Sequence, residues 1–389
     1  MSLYFDYAAT TPLHPDALAA MMPYLTENFA NPSSVYTSAR ESRKAIDKAR
    51  QTVAEAINAN PNEIFFTSSG TEADNWIIKG SLEGKKNCHI VTSAVEHHAI
   101  YYTCRHLEKL GHDVTYVPVD KDGFVSPDDV KMAIRPDTAL VSIIMANNEV
   151  GTIQPMKEIG QITRTFGVPL HTDAVQAVGH IPVDVNELSV DSLSLSAHKF
   201  YGPKGVGALY IRKGTQLAPL FQGGAQEKGR RPGTENVAGI MGLATALEMS
   251  AKAVSYEQPR LTDLRDKLIN EILASIPHAH LNGPRKDRLP GNVNVSFRFI
   301  EGESLLLHLD MQGCQASTGS ACSSGALEPS HVLTAMGISH ELTNGAIRFT
   351  LGRDTTQADI DSLLVMLKKS VKRLRELSPL YDDYLKKAR

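Results

Sequence analysis

Cysteine, tryptophan and unbalanced charge are all scarce in this chain. Its 389 residues hold four cysteines and one tryptophan, with a formal net charge of −3. Cys88, Cys104, Cys314 and Cys322 form no Cys-x-x-Cys pair, which argues against a disulfide framework and against a structural zinc site. In a reducing compartment each is then either core filler or a nucleophile. The near-neutral charge leaves no nucleic-acid footprint. Met1 to Asp6 carries no basic or apolar leader pattern, and no apolar run approaches the ~18–20 residues that span a bilayer. A soluble, cytoplasmic protein acting on small molecules is expected, with neither a membrane nor a direct nucleic-acid partner. No Gly-x-Gly-x-x-Gly, P-loop or His-Glu-x-x-His pattern occurs, so dinucleotide binding, nucleotide hydrolysis and zinc hydrolysis are poor readings.

Apolar residues make up 42% of the chain, enough for a sizeable core. From about residue 60 to 225, short apolar strands alternate with helices, the pattern of an α/β fold whose sheet is largely parallel and covered on both faces. Strands are predicted over 63–67, 89–92, 114–117, 139–145, 168–172 and 191–195, with another in 205–211. Residues 38–58 read as a long amphipathic helix. Two helices, 238–253 and 261–276, are expected on either side of a boundary near Tyr256 to Pro259. The remainder mixes strands (292–297, 346–351) with helices (304–310, 357–377), as in a smaller α+β domain. The division is thus 15–256 for a large domain, and 1–14 with 257–389 for a small one.

Chemistry-bearing residues gather at the carboxyl ends of the predicted strands, where ligands bind in open α/β sheets. Lys199 follows an apolar strand into a Gly/Pro-rich turn, where a lysine can be desolvated and kept neutral for carbonyl chemistry. Thr67 to Asn75 follows a strand and opens a helix, so the N–H groups of Ser69, Gly70 and Thr71 can face an anion, or simply form an N-cap box. Asp173 ends a buried strand and needs a cation, such as a protonated pyridine nitrogen, unless it caps the next helix; Gln176 lies one turn on. His97 suits ring stacking or proton transfer, and Asn148 offers an amide to a ring oxygen or a carboxylate. Both also suit ordinary loop positions. Arg353 closes a strand and can fork onto a substrate carboxylate, while Arg348, on the opposite face, reads as structural. Cys322 stands in Ala316 to Gly325, a small, polar, glycine-rich stretch and an odd place for a packing cysteine.

Taken together these segments resemble the cysteine desulfurases of the NifS/IscS type, in the class V branch of pyridoxal-phosphate enzymes. The resemblance starts at Phe5-Asp6-Tyr7-Ala8-Ala9-Thr10-Thr11-Pro12. It runs through Thr67–Asn75, Glu96–His98, Asn147–Gly151, His171–Gln176 and Ser196–Gly207 to Cys322 and Arg348–Arg353. It implies an aspartate-aminotransferase-like fold of type I, with a mainly parallel sheet of the seven-stranded type and a smaller α+β domain. Pyridoxal 5′-phosphate is the implied cofactor. Lys199 would form its Schiff base, Asp173 bond the ring nitrogen, His97 stack on the ring and Gln176 meet the ring hydroxyl. Gly70, Thr71, Ser196 and His198 would hold the phosphate. Thr234, within Arg230–Asn236, would complete the phosphate site of the other subunit of a homodimer.

The implied reaction converts L-cysteine to L-alanine, with Asn148 and Arg353 on the substrate carboxylate and Asn148 also near the cofactor. Lys199, His97 and Cys322 are the catalytic residues. Cys322, on a loop of about residues 315–328, would carry the sulfur as a persulfide to an acceptor such as an iron–sulfur scaffold or a tRNA-thiolation enzyme. No stable metal site is implied beyond transient ligation of an iron–sulfur cluster by Cys322. Ala197 and Pro232 depart from the commonest glycine and serine without touching a chemical role. Two readings compete: an aminotransferase on the same scaffold, which needs no thiol on a glycine-rich loop, and a non-catalytic sulfur-relay or assembly partner that has kept the fold, against which the intact Lys199, Asp173 and Thr71 set argues.

Overall fold

The computed structural model describes residues 3–318 and 329–387, so Cys322 and most of its expected loop lie outside the described residues. A short strand β1 (Leu3–Tyr4) precedes helices α1 (Pro15–Thr26) and α2 (Thr37–Ala56). In α2, Ala45, Ile46, Ala49 and Val53 recur at helical spacing, and all four are buried. Alternation then proceeds through β2 (Ile64–Thr67), α3 (Gly70–Leu82), β3 (His89–Ser93), α4 (His98–Lys109), β4 (Asp113–Val117) and α5 (Pro127–Ala133). It continues with β5 (Thr138–Ser142), α6 (Met156–Phe166), β6 (Leu170–Asp173), β7 (Ser192–Ser196) and β8 (Gly207–Ile211).

These seven strands form the expected sheet, in the order β2-β8-β7-β6-β5-β3-β4. It is parallel except at β8, which runs antiparallel to both β2 and β7. Strand alternation supplies two cores. Ile64, Phe66, Val91, Val141 and Tyr210 face one side, while Phe65, Ile90, Leu140 and Leu209 face Trp76 and Cys104 on the other. A sheet buried on both faces leaves only its strand ends for polar chemistry, and the site forms at the carboxyl ends of β3, β5, β6 and β7.

One helix replaces the expected pair: α7 (Val237–Ser275) runs unbroken for 39 residues with Pro259 inside it. Proline removes one hydrogen bond. The turns on either side are held by packing, Leu243 and Leu247 in the main core and Leu261, Leu264 and Leu268 in a second one. A stretch of α7 reaches a mean hydropathy of 1.3, high enough for a bilayer span, but its apolar residues serve these cores.

Beyond α7 come β9 (Ala279–Leu281), β10 (Asn292–Phe297), α8 (Gly302–Asp310), β11 (Cys314–Gln315), α9 (His331–Ala335) and α10 (His340–Asn344). The chain ends with β12 (Ala346–Thr350), α11 (Gln357–Glu376) and α12 (Pro379–Lys387). An antiparallel sheet, β12-β10-β9, packs Val295 and Phe349 with Phe5, Leu305 and Leu363, while β1 pairs with β11.

Candidate active site

A cavity of about 280 Å³ opens at the carboxyl edge of the main sheet. Lys199 reaches it from the single helical turn Ala197–Lys199 that follows β7. Its Nζ donates to the carbonyls of Ala8 at 2.6 Å and Ala9 at 2.8 Å, bringing the N-terminal segment into the wall. Tyr201, two residues on, takes a left-handed φ of 67°, a conformation that costs a residue with a side chain about 1 kcal/mol or more. The turn is braced by the Tyr201 N–H on Thr11 Oγ1 at 2.8 Å.

Asp173 ends β6 and is 4% exposed, with one oxygen accepting the Val175 N–H at 2.9 Å. Burial pushes its carboxyl up to about 6, opposed by that N–H and by the Lys199 charge. A carboxyl so placed gains from a cationic ligand. At the other end of the cavity, Gly70 and Thr71 open α3, whose first turn carries unpaired N–H groups and the positive end of the helix dipole. Gly70 is closely packed: a Cβ there would lie 2.6 Å from Val175 Cγ2, so that side chain would have to shift. Ser196 and His198 line the cavity too, and burial first, then Lys199 and Lys204, push the His198 imidazole down to about 4.

His97 caps α4, its Nδ1 accepting the Ala99 N–H at 3.1 Å. That bond places the proton of the neutral ring on Nε2. Burial, with Lys199 next, lowers its pKa to about 4, so the ring is uncharged at neutral pH. Asn148 and Gln176 also face the cavity, and the Gln176 amide donates to the Ala8 carbonyl at 3.0 Å. Nine of the sequence-predicted residues therefore meet in one cleft: Gly70, Thr71, His97, Asn148, Asp173, Gln176, Ser196, His198 and Lys199.

Three do not. Thr234 is exposed and away from the cleft, its segment tied to the first turn of α3 by Arg231 on Glu72 at 2.8 Å. Arg353 turns away, its guanidinium 4.8 Å from the centre of the Tyr201 ring. Cys322 lies outside the described residues, but both flanks of its segment are anchored beside the cleft. Ser317 bridges to Arg348 through the backbone, and Ser330 Oγ donates to Glu149 at 2.6 Å.

Arg348, read from the sequence as structural, is the arginine that faces the cleft. It lines the cleft, 3% exposed, with Nη1 on the Asn148 carbonyl at 2.9 Å and Nη2 on Asp6 at 2.9 Å. Arg353 does not close the strand, since β12 ends at Thr350. Arg348 sits within β12 and faces inward, whereas Arg353 follows Gly352 past the strand end and folds back on Tyr201. An arginine inside an apolar strand needs an acidic partner, and Asp6 in the N-terminal motif was the available signal. Asp74, a second buried acid in the cavity wall, also escaped the sequence reading.

A helix terminus, a lysine and a buried carboxyl meeting at the carboxyl edge of this sheet are the arrangement of an aminotransferase-type α/β enzyme. The chain belongs to the aminotransferase class-V family, whose model matches residues 3–363. It is 55% identical over 387 residues to a protein of Dictyoglomus turgidum named cysteine desulfurase IscS, covering 98% of each chain. A solved NifS-like protein superposes with a TM-score of 0.90 at 39% identity, over 96% of this chain and 100% of that one. A second solved structure, SspA in complex with cysteine, gives 0.79 at 38% identity, over 90% of this chain and 99% of that one. Enzymes of this family depend on pyridoxal phosphate.

Proposed function

We propose that the chain is a pyridoxal-phosphate-dependent cysteine desulfurase that turns L-cysteine into L-alanine and takes the sulfur onto Cys322. The observation that carries this reading is the meeting of Lys199, Asp173, His97 and the α3 terminus in one cavity of a chain so similar to named cysteine desulfurases. The cofactor fits the wall. Its phosphate would meet Gly70, Thr71, Ser196 and His198, its ring nitrogen Asp173, its ring hydroxyl Gln176 and its ring face His97. When bound it supplies an electron-withdrawing ring that activates the bonds at Cα and Cβ of an attached amino acid.

The chain's own groups supply the rest. Lys199 Nζ is the amine that carries the cofactor and then moves the Cα proton. The Ala8 and Ala9 carbonyls accept from it and hold it in the cavity wall. Arg348 and Asn148 orient the substrate carboxylate at the rim, the role that Arg353 cannot reach. The Cys322 thiolate attacks the substrate sulfur; an S–S bond forms as the C–S bond breaks. The electron pair of that C–S bond stays on carbon and, with a proton, completes the methyl group of alanine. His97, neutral with its proton on Nε2, is placed to carry protons for these thiol steps. A thiol of an acceptor protein, serving iron–sulfur assembly or thiolation, then removes the terminal sulfur.

The working form is a cytoplasmic homodimer, with the chain divided between a cofactor unit at 15–256 and the remainder. Leu18, Met22 and Leu25 of α1, with Phe29, Val35 and Tyr36, form an exposed apolar surface suited to a second copy, and the exposed Thr234 would serve the partner's phosphate site. Cys88, Cys104 and Cys314 are free thiols, in keeping with a reducing compartment.

Cys322→Ser tests the reading. The variant is expected to bind pyridoxal phosphate as wild type does, and to sediment as a dimer. Alanine and sulfide release from L-cysteine should fall by about a hundredfold or more, because an alcohol is a poor nucleophile toward sulfur and holds no persulfide. Release at the wild-type rate would overturn the role of Cys322.

A further inference from the structure

We propose that Asp74 is an uncharged carboxylic acid that positions Asp173 against the ring nitrogen of the cofactor, so that the site presents one negative charge there and not two. The inference rests on the cofactor reading above. Asp74 follows Thr71 by one helical turn, on the face of α3 that looks into the cavity below the anion-binding terminus. It is 1% exposed, and its Oδ1 makes no hydrogen bond among the described residues. Asp74, His97 and Asp173 offer atoms that all lie within 4.8 Å of one another. That distance leaves room for a direct bond between the carboxyls after a small rotation, or for one bridging water.

The surroundings of Asp74, with one exception on β7, leave the proton on it. From β6, Asp173 brings a like charge, and His171 lies 3.8 Å from Asp74 Oδ1. His171 is no cation: burial lowers it to about 3, and its ring nitrogens are engaged by Ser142 Oγ at 2.9 Å and Ser194 Oγ at 3.0 Å. From β7, the Ser194 hydroxyl alone favours the charged form of Asp74. From the β3–α4 connection come neutral His97 and a third buried acid, Glu96, which accepts from the Ser93 hydroxyl and from the Ile144 N–H at 2.9 Å. Asp173, by contrast, has the Val175 N–H and the Lys199 charge in its favour. Two acids this close and this dry share one negative charge, and the better-solvated one keeps it. The O–H of Asp74 then donates toward the Asp173 carboxylate, fixing its rotamer while leaving its charge for the ring.

The test compares wild type, Asp74→Asn and Asp74→Leu. The amide keeps a donor and no charge. Asp74→Asn should therefore bind pyridoxal phosphate within about threefold of wild type, with the pH midpoint of the bound cofactor's absorbance shift unmoved. Asp74→Leu should bind about tenfold or more weaker and move that midpoint. Infrared spectra of the wild-type chain should contain a protonated-carboxyl stretch that disappears in Asp74→Asn, a readout that needs no leucine variant to fold. A wild-type spectrum unchanged by Asp74→Asn, an asparagine variant as impaired as the leucine one, or a leucine variant with wild-type affinity and midpoint would each overturn the proposal. Failure of the wild-type chain to bind pyridoxal phosphate would instead overturn the cofactor reading, with the infrared result still reporting which acid is protonated.

Discussion

At the sheet end of the cleft, Asp173, Ser196 and Lys199 hang from neighbouring strand termini, and their spacing follows from register: Asp173 stands opposite Ser194 across β6 and β7. At the rim, Arg348 of β12 meets Asp6, 342 residues away in sequence, and the carbonyl of Asn148 from a third segment. The first end is rigid because both faces of its strands are buried. The second exists only once the second core has brought Phe5 beside Phe349. The difference separates chemistry from recognition. In the proposed reading, the groups that hold the cofactor ring sit on the sheet, and the group assigned to the substrate carboxylate sits where three segments converge.

If that separation is right, substitutions at the two ends fail in different ways. Lys199→Ala is expected to have the largest effect, loss of the covalently held cofactor and a fall in alanine formation of about a thousandfold or more, since among the described residues no other lysine lines the cavity. Substantial turnover in that variant would break the assignment. Arg348→Lys comes next. It keeps a charge near Asp6 but removes the fork, so KM for L-cysteine should rise by about ten- to a hundredfold with cofactor binding intact. A fall in kcat at constant KM would place Arg348 with the chemistry and erase the distinction.

The same contrast explains what the residues disclose before the fold is known. The sheet end was legible: apolar runs mark buried strands, and polar residues at their carboxyl ends have one place to go. Arg348 was not, because strand parity separates it from Arg353 without saying which face looks inward. That choice depends on Asp6 arriving from the far end of the chain. Pro259 misled for a related reason, since a proline reads as a boundary locally while packing on both sides keeps α7 continuous. Asp74 lay hidden inside the motif that announces the anion site, where its helical turn alone does not reveal that it faces Asp173.

The titration of the sheet end offers a third, smaller test. Burial raises Asp173 from 3.8 to about 6, so the folded chain holds this proton more tightly than the unfolded one. Its contribution to stability is full below pH ~4 and is lost as pH rises through about 6. His97 and His198, lowered to about 4, have the opposite sign: their contribution is present above pH ~6.5 and is lost as pH falls through about 4. In the cofactor-free chain, Asp173→Asn should therefore gain stability over wild type as pH rises from 4 to 7, by roughly 1–3 kcal/mol in thermal unfolding. Parallel Tm curves for the two proteins would show that Asp173 bears no such cost.

The smallest effect is expected at Arg353, and it bears most directly on the comparison. Its backbone N–H donates to Tyr201 Oη at 2.7 Å, a bond that survives truncation, while the side chain contributes only its place over the Tyr201 ring. Arg353→Ala should thus cost about 0.5–1 kcal/mol of stability and leave KM for L-cysteine within about threefold. Any change in rate would come through Tyr201, whose left-handed backbone follows Phe200 and closes the turn that carries Lys199. It would appear as altered cofactor absorbance before it appeared in KM. A KM increase matching that of Arg348→Lys would mean that both arginines bind the carboxylate, and the rim would no longer differ from the strand end beside it.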